Sequence, residues 1–225
     1  MNIPLFYVGA GFDLSGGDMA KRFGNNFEIG GGFLYKTKTN WMFGLDMNFI
    51  YSDTIKEMPI QSLFTEEGYI IGDDGLYANI RISERGIKLP VFKAGRLFSM
   101  PFGRANINSG IFVLGGVGFM QHKIHYEDVS RTVSQLSDDY RKGYDRLTNG
   151  LALTQNVGYM YLDQKRRVNF SATLEFTQGF TKNRREYNFD LMGPVNESRL
   201  DLLYGIKLGW IFPAYKKLPQ EYYYN

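Results

Sequence analysis

Large apolar side chains alternate with small or polar ones along much of this chain, most regularly near its C-terminus. Every second residue from 200 to 212 is apolar, namely Leu200, Leu202, Tyr204, Ile206, Leu208, Trp210 and Phe212. Because successive side chains of a β-strand point to opposite faces, these apolar residues share one face. A strand of thirteen residues, at about 3.3 Å each and tilted by about 45°, rises about 30 Å. This rise is enough to cross an apolar band of about 25 Å. The pattern predicts a lipid-facing strand that spans a membrane.

Seven other segments alternate in the same way and predict seven more strands. They are residues 4–13, 26–36, 41–52, 86–98, 109–126, 150–162 and 169–181. The connections 37–40, 99–108 and 163–168 are short, whereas 14–25, 53–85, 127–149 and 182–199 are long. Short periplasmic turns and long extracellular loops are typical of outer-membrane barrels. We therefore expect an all-β fold, an eight-stranded antiparallel up-and-down transmembrane β-barrel with both termini in the periplasm.

Aromatic residues gather at both predicted ends of the strands. The expected periplasmic girdle consists of Tyr35, Trp41, Tyr159, Tyr161, Phe170, Trp210 and Phe212. An outer girdle is expected from Phe12, Phe27, Tyr51 and Phe180. Aromatic belts at the two membrane interfaces are a common feature of outer-membrane barrels, so they support the predicted orientation.

The fourth predicted strand contains a conflict between alternation and charge. If every second residue from Ile87 faced lipid, Lys93 would face lipid too, at a cost of about 2 to 4 kcal/mol near the midplane. A bulge at Pro90 that turns Phe92 outward removes this cost, and we expect that bulge. The fifth strand is apolar on both faces between residues 111 and 120, which leaves its register open.

Charged residues also occupy positions that face the predicted lumen. They are Glu28, Lys36, Asp46, Lys93, Glu175 and Lys207. An eight-stranded barrel is only wide enough for its own side chains, and buried charges require partners. We expect a network of ion pairs that plugs the barrel, with a proton or ion path as the alternative.

Composition limits the class of protein further. With 44% hydrophobic and 22% charged residues the chain is not intrinsically disordered, and no stretch approaches the length of a membrane helix. The net charge of +3 is spread among both signs, so we expect no nucleic-acid partner. The absence of cysteine excludes disulfides and thiolate chemistry. Because strand begins at residue 4, we expect an export signal outside this sequence.

The chain divides into a barrel, residues 1–213, and a short periplasmic tail, residues 214–225. The tail contains Tyr222, Tyr223 and Tyr224, which are candidate contacts for a periplasmic component or for the barrel rim. A frayed end is the alternative.

The two histidines are the clearest candidates for chemistry. His122 and His125 lie at the outer end of the fifth strand, near Ser130, and some outer-membrane lipid A deacylases and acyltransferases use a His, a Ser and an acid. Side chains three residues apart in a strand point to opposite faces, which disfavours a shared catalytic or metal site. We expect no catalytic residue, cofactor or metal. A lipid A-modifying enzyme is one alternative, and a free-standing structural or adhesive barrel is another.

Two loops offer candidate partner contacts. Tyr140 and Tyr144 are spaced as on one face of a short helix within residues 137–146, and that helix is expected to dock a partner. Arg184 and Arg185 follow Lys182 and are candidates for binding lipopolysaccharide phosphates. A merely solvated loop is the alternative in both places.

Four stretches carry a resemblance to known proteins, namely residues 16–26, 142–150, 178–181 with 183–185, and 203–224. With them the chain resembles, over nearly its whole length, a family of small outer-membrane β-barrel proteins of Bacteroidota. The resemblance implies a barrel without catalytic residues. It also implies an accessory role, in which the chain contacts outer-membrane lipid and other proteins of a barrel-assembly or type 9 secretion complex.

Overall fold

Eight antiparallel strands close into a single barrel in the computed structural model, which describes residues 2–137, 139–165 and 167–214. The strands are β1 (Ile3–Gly16), β2 (Asn26–Lys36), β3 (Trp41–Ser52), β4 (Ile80–Ser99), β5 (Gly110–Asp128), β6 (Thr148–Leu162), β7 (Asn169–Asn183) and β8 (Ser198–Pro213). Each strand pairs with the next, and β1 pairs with β8. The predicted eight-stranded antiparallel barrel is therefore confirmed. The candidate contacts Tyr222, Tyr223 and Tyr224 lie outside the described residues.

Short helical segments lie in the long connections. Helix α1 (Gly17–Arg22) follows β1, and 3₁₀ turns occupy Gln61–Leu63, Ser134–Leu136 and Tyr140–Gly143. None of the helices in the described part of the chain is both long enough and apolar enough to cross a membrane.

Strands β4 and β5 extend further than the alternation of apolar residues predicts. Strand β4 begins at Ile80, six residues before the predicted start, and residues 80–83 pair with the last residues of β5. Their outward-facing members include Arg81 and Glu127, which lie opposite each other. Because these outward positions are charged, they lack the pattern of a lipid-facing strand. The two strands thus continue beyond the apolar band as a ribbon.

The expected bulge in β4 is present. The pairing with β5 shifts between Lys88 and Val91, and the pairing with β3 shifts at the same level. Phe92 consequently faces outward, and Lys93 is buried in the lumen. The pairing of β5 with β4 and β6 settles its register, which the sequence leaves open, and places Phe112 inside the barrel.

Apolar side chains cover the outer wall of the barrel. The residues predicted for the periplasmic girdle all lie near the barrel end that carries the short turns, where the rings of Tyr161 and Phe170 stack with centroids 5.0 Å apart. At the other end Phe12 and Phe27 are in register across β1 and β2, with centroids 5.4 Å apart. The wall therefore has an apolar band with aromatic residues at both ends.

The lumen is filled in three layers. A cluster of apolar side chains closes the short-turn end, and a layer of ion pairs lies in the middle. A second apolar cluster, to which α1 and the loops contribute, closes the long-loop end. The first cluster consists of Ile3, Leu5, Leu34, Met42, Leu97, Phe112, Leu114, Met160, Leu162 and Ile211.

Candidate functional site

Glu175 of β7 is the centre of the charged layer in the lumen. Its carboxylate accepts hydrogen bonds from Lys88 Nζ and Lys207 Nζ, each at 2.6 Å, and from Lys93 Nζ at 3.1 Å. Three different strands supply these residues, so the barrel must close before the contacts can form. Glu175 therefore ties β4, β7 and β8 together across the lumen.

Two further carboxylates complete the network. Lys88 contacts Glu28 at 2.7 Å, and Lys207 pairs with the other oxygen of the same carboxylate. Lys93 pairs with Asp46. Three lysines thus form ion pairs with three carboxylates, Glu28, Asp46 and Glu175. This pairing matters because a buried charge without a partner is strongly destabilising.

Lys36 does not belong to this network, and the prediction that it does is wrong. It lies at the last position of β2, where its Nζ donates to Asn108 Oδ1 at 3.0 Å in the connection between β4 and β5. Glu28, Asp46, Lys93, Glu175 and Lys207 are brought together as expected from their inward positions. Lys36 is separated from them because its side chain extends toward the turns, where oxygen acceptors satisfy it.

Lys88 is a network member that the sequence reasoning missed. Simple alternation places residues 88 and 93 on opposite faces, since they are five apart. The bulge between Lys88 and Val91 brings both lysines inside. Pro90 was the signal in the sequence, because a bulge at Pro90 reverses which side chains face the lumen only in the part of β4 that follows it.

A cavity of about 60 Å³ separates the ion pairs from the apolar cluster at the short-turn end. Its lining includes Tyr7, Asn156 and Ser171, and its size suits a few water molecules. Packed side chains lie on both sides of it, so the cavity is a pocket within the plug.

The second polar group in the lumen is built around His122. Its Nε2 lies 3.0 Å from Asp201 Oδ2, and the Thr181 hydroxyl donates to the same oxygen. The ring of Phe23 packs edge-on against the imidazole, with centroids 5.4 Å apart. His122 is fully buried, and His125 points out from the opposite face of β5.

This group lacks the arrangement of a nucleophilic site. Among the described residues, no Ser or Thr hydroxyl is hydrogen-bonded to His122, and Thr181 contacts the acid instead. Ser130 bonds to Asp128 in the loop. Within the same described ranges, no group of three His, Asp or Glu side chains is placed to hold a metal ion. The arrangement is a buried polar group in which His122 and Thr181 share one oxygen of Asp201, while His122 Nδ1 and Asp201 Oδ1 have no hydrogen-bond partner among the described residues.

A chain of ion pairs links all four long loops above the lumen. Arg22 of α1 contacts Glu57 at 2.6 Å, and Arg146 contacts the other oxygen of Glu57 at 3.0 Å. Arg146 also contacts Asp190, at 2.5 Å. These four residues come from the β1–β2, β3–β4, β5–β6 and β7–β8 connections in turn. We call them the loop cap.

Two of the four loop residues predicted as partner contacts are held within the barrel mouth. Tyr144 is buried, with its ring 5.2 Å from that of Phe189, and the Arg185 guanidinium is bound to Asp145. Those two predictions are corrected, because both side chains are used to join the third and fourth long loops. The expected helix in residues 137–146 is only the 3₁₀ turn Tyr140–Gly143. Tyr140 and Arg184 remain exposed.

A small hairpin in the β3–β4 connection exposes an apolar tip. Ile71 and Tyr77 form an isolated bridge, and the Gly72 amide donates to the Leu76 carbonyl. The rings of Tyr69 and Tyr77 pack with centroids 4.7 Å apart. We call Tyr69, Ile71, Leu76 and Tyr77 the hairpin tip; each of these side chains is at least half exposed.

Comparisons with known proteins give distant similarities only. No family model and no curated protein matches the chain. A solved structure of Ail, the attachment invasion locus protein of Yersinia pestis, in complex with the heparin analogue sucrose octasulfate, is 9% identical, with a TM-score of 0.49 over 94% of this chain and 99% of that chain. Neisserial surface protein A is 9% identical (TM-score 0.44, 92% and 95%). The outer membrane protein OprG of Pseudomonas aeruginosa is 15% identical (TM-score 0.36, 94% and 95%). Similarities this distant transfer no function to this chain.

Proposed function

We propose that this chain is a non-enzymatic outer-membrane β-barrel that acts as an accessory subunit of a larger outer-membrane protein complex. The observation that carries the proposal is the filled lumen. Ion pairs centred on Glu175 and two apolar clusters occupy the interior, which leaves the outer wall and the loops as the surfaces that act. A barrel with a filled lumen acts through the molecules that bind its outer wall and its loops.

Membrane insertion is supported by the outer wall. Apolar side chains cover it between two aromatic girdles, as the hydrocarbon of a membrane requires. In the proposed orientation the loop cap and hairpin tip are extracellular, and the short turns and both termini are periplasmic. Outer-membrane lipid and lipopolysaccharide then surround the wall.

Partner binding is supported by the shape and chemistry of the loops. The loop cap holds the four long loops to one another through Glu57 and Arg146, so a surface built on them is organised before binding. The hairpin tip adds contiguous exposed aromatic and aliphatic side chains, which are typical of protein contacts. A barrel-assembly or type 9 secretion complex is the kind of partner that the family resemblance implies.

The test is affinity purification of the tagged chain from native membranes in mild detergent. We expect larger outer-membrane proteins to co-purify in stoichiometric amounts. The double variant Tyr69→Ser/Tyr77→Ser is expected to reduce their recovery about tenfold, which corresponds to about 1.4 kcal/mol of binding free energy. Glu66→Gln/Glu67→Gln, in the same loop, serves as the matched control and is expected to retain them. Isolation of the wild-type chain as a lone monomer contradicts the proposal.

The second candidate function is that of a free-standing adhesive barrel. The exposed hairpin tip supports this function as well as it supports the accessory role. In that case the chain purifies alone, and whole cells bind an external surface through the exposed apolar side chains. The Tyr69→Ser/Tyr77→Ser variant then reduces cell adhesion without changing any co-purified protein. The two measurements together separate the two candidates.

A further inference from the structure

A group of cations lies on the outer wall, where the apolar band meets the long loops. We call Arg85 of β4, Lys123 of β5, Lys182 of β7 and the adjacent Arg184 the cationic patch. Arg85 and Lys123 lie directly opposite each other across paired strands. Lys182 is in register with Asn149 of β6, and Arg184 Nε donates to Asn149 Oδ1 at 2.6 Å. The patch therefore extends across the outer face of four strands.

The pairing of Arg85 with Lys123 is electrostatically unfavourable by itself. Directly opposite side chains in an antiparallel pair are only about 4.5 to 5.5 Å apart at Cβ, so like charges there repel. Four residues earlier on the same face of β4, Arg81 lies opposite Glu127, which is the usual complementary pair. In the described ranges no carboxylate forms an ion pair with Arg85, and Lys123 has only Asp145, at 3.9 Å. An anion between the two cations removes the repulsion.

The wall changes from polar to apolar directly below the patch. The polar row is Gln121, Asn149 and Lys182, and the apolar row beneath it is Phe119, Leu151 and Phe180. Both rows are in register across β5, β6 and β7. A boundary of this kind matches the level at which lipid headgroups join their acyl chains.

A groove of about 310 Å³ lies on the wall beside the patch. Phe49, Tyr51 and Ile87 provide an apolar and aromatic floor, and Arg85 and Lys123 provide a basic edge. A ligand that combines an anionic group with an apolar body fits both parts.

We propose that the cationic patch binds a phosphorylated lipid of the outer leaflet. Its phosphates contact Arg85 and Lys123, and also Lys182 and Arg184, while its acyl chains lie against the apolar row. A guanidinium binds phosphate through two parallel hydrogen bonds, and an ammonium does so as a compact charge. The site rests on the proposed membrane insertion. Arg185 takes no part, because its guanidinium is bound to Asp145.

Native mass spectrometry of the full chain in detergent tests this site with three probes. They are a bisphosphorylated lipid A, the same lipid after removal of both phosphates, and inorganic phosphate. We expect the wild type to bind the bisphosphorylated lipid at least about tenfold more tightly than the dephosphorylated one. Arg85→Gln/Lys123→Gln is expected to remove most of this difference. Arg81→Gln removes a charge from the same face of β4. This control is expected to leave the difference in affinity between the two lipids unchanged.

Each other outcome overturns a defined part of the proposal. Equal binding of the two lipids, or an unchanged preference in Arg85→Gln/Lys123→Gln, overturns the site. If an equal concentration of inorganic phosphate displaces the lipid, the patch binds a free anion. That result overturns the proposal that the ligand is a lipid. Insertion of each variant into vesicles of zwitterionic phosphatidylcholine is measured separately, by heat-dependent gel mobility. A wild-type chain that does not insert overturns membrane insertion itself, whereas one that inserts without preferring the phosphorylated lipid overturns only the site.

Discussion

Arg22 donates through Nε to Glu57 at 2.6 Å, although the two residues are 35 positions apart and belong to different loops. Neither guanidinium that contacts Glu57 is more than slightly exposed, since Arg22 and Arg146 have side-chain exposures of 6% and 4%. A single carboxylate thus pairs with two nearly buried cations at the mouth of the barrel, and Asp190 is the second carboxylate that contacts Arg146. The fixed arrangement of the four long loops depends on the carboxylate of Glu57.

Glu57→Gln is expected to loosen the loop cap. The substitution leaves Arg22 and Arg146 without their shared charge partner, at a cost of about 1 to 3 kcal/mol in the free energy of local opening. Hydrogen exchange of the loop amides measures this directly, as a rise of about tenfold for each 1.4 kcal/mol. Asp139→Asn, which removes an exposed ion pair with Lys142, is the control and is expected to change exchange by less than about 0.5 kcal/mol. Equal effects of the two variants contradict the role of Glu57.

The stability of the loop cap is expected to fall in acid. Burial by itself raises the pKa of Glu57, but the charges of Arg22 and Arg146 outweigh it and hold this pKa below its ordinary value of 4.5. The unfolded loop therefore binds the proton at higher pH than the folded one, and the stabilisation is present above pH 4.5 and lost as pH falls through the folded pKa. Loop proteolysis by an acid-tolerant protease, compared between wild type and Glu57→Gln, should differ at neutral pH and converge below that pKa. If wild type and Glu57→Gln differ in proteolysis as much in acid as at neutral pH, the stability of the loop cap is not linked to protonation of Glu57.

Glu175→Gln is expected to be the most destabilising conservative change in the lumen. Three lysine ammonium groups lie within 3.1 Å of its carboxylate, and loss of the charge leaves these three buried cations paired with the two carboxylates of Glu28 and Asp46. Removing one member of a buried ion pair costs about 3 to 5 kcal/mol. Urea unfolding in lipid vesicles measures the change. Glu186→Gln, on an exposed loop position, is the control, and a loss no larger than that control contradicts the network.

Most of the barrel is predictable because lipid imposes a simple alternation on the strands that cross it. Strands β2 and β3 begin and end where the pattern predicts. The alternation fails beyond the apolar band, where Arg81 and Glu127 face outward and nothing in their polarity marks a strand. It also fails for Lys93, since its face depends on the bulge between Lys88 and Val91.

The candidate sites were harder to predict than the fold. Contacts such as Arg22 with Glu57 join residues from separate loops, and no local pattern in either segment specifies the partner. The helical spacing of Tyr140 and Tyr144 predicts that both face a partner, yet packing against Phe189 buries Tyr144. Such pairings become visible only once the strands bring the loops together.

Deletion of the gene for this chain is expected to leave the lipid A of the outer membrane unchanged. His122 is buried beneath Phe23, and its imidazole contacts Asp201 with no hydroxyl to activate among the described residues. Mass spectrometry of extracted lipid A checks this. A change in acylation that reappears in a His122→Gln strain supports the lipid-modifying enzyme instead.

Site-specific photo-crosslinking in living cells tests the accessory role most directly. A photoreactive amino acid replaces Tyr77 at the hairpin tip in one strain and Phe43, exposed on the lipid-facing wall, in another. We expect one discrete protein adduct of constant mass from position 77 and only lipid adducts from position 43. If position 77 gives no protein adduct while the barrel is present at its normal level, the accessory role is wrong.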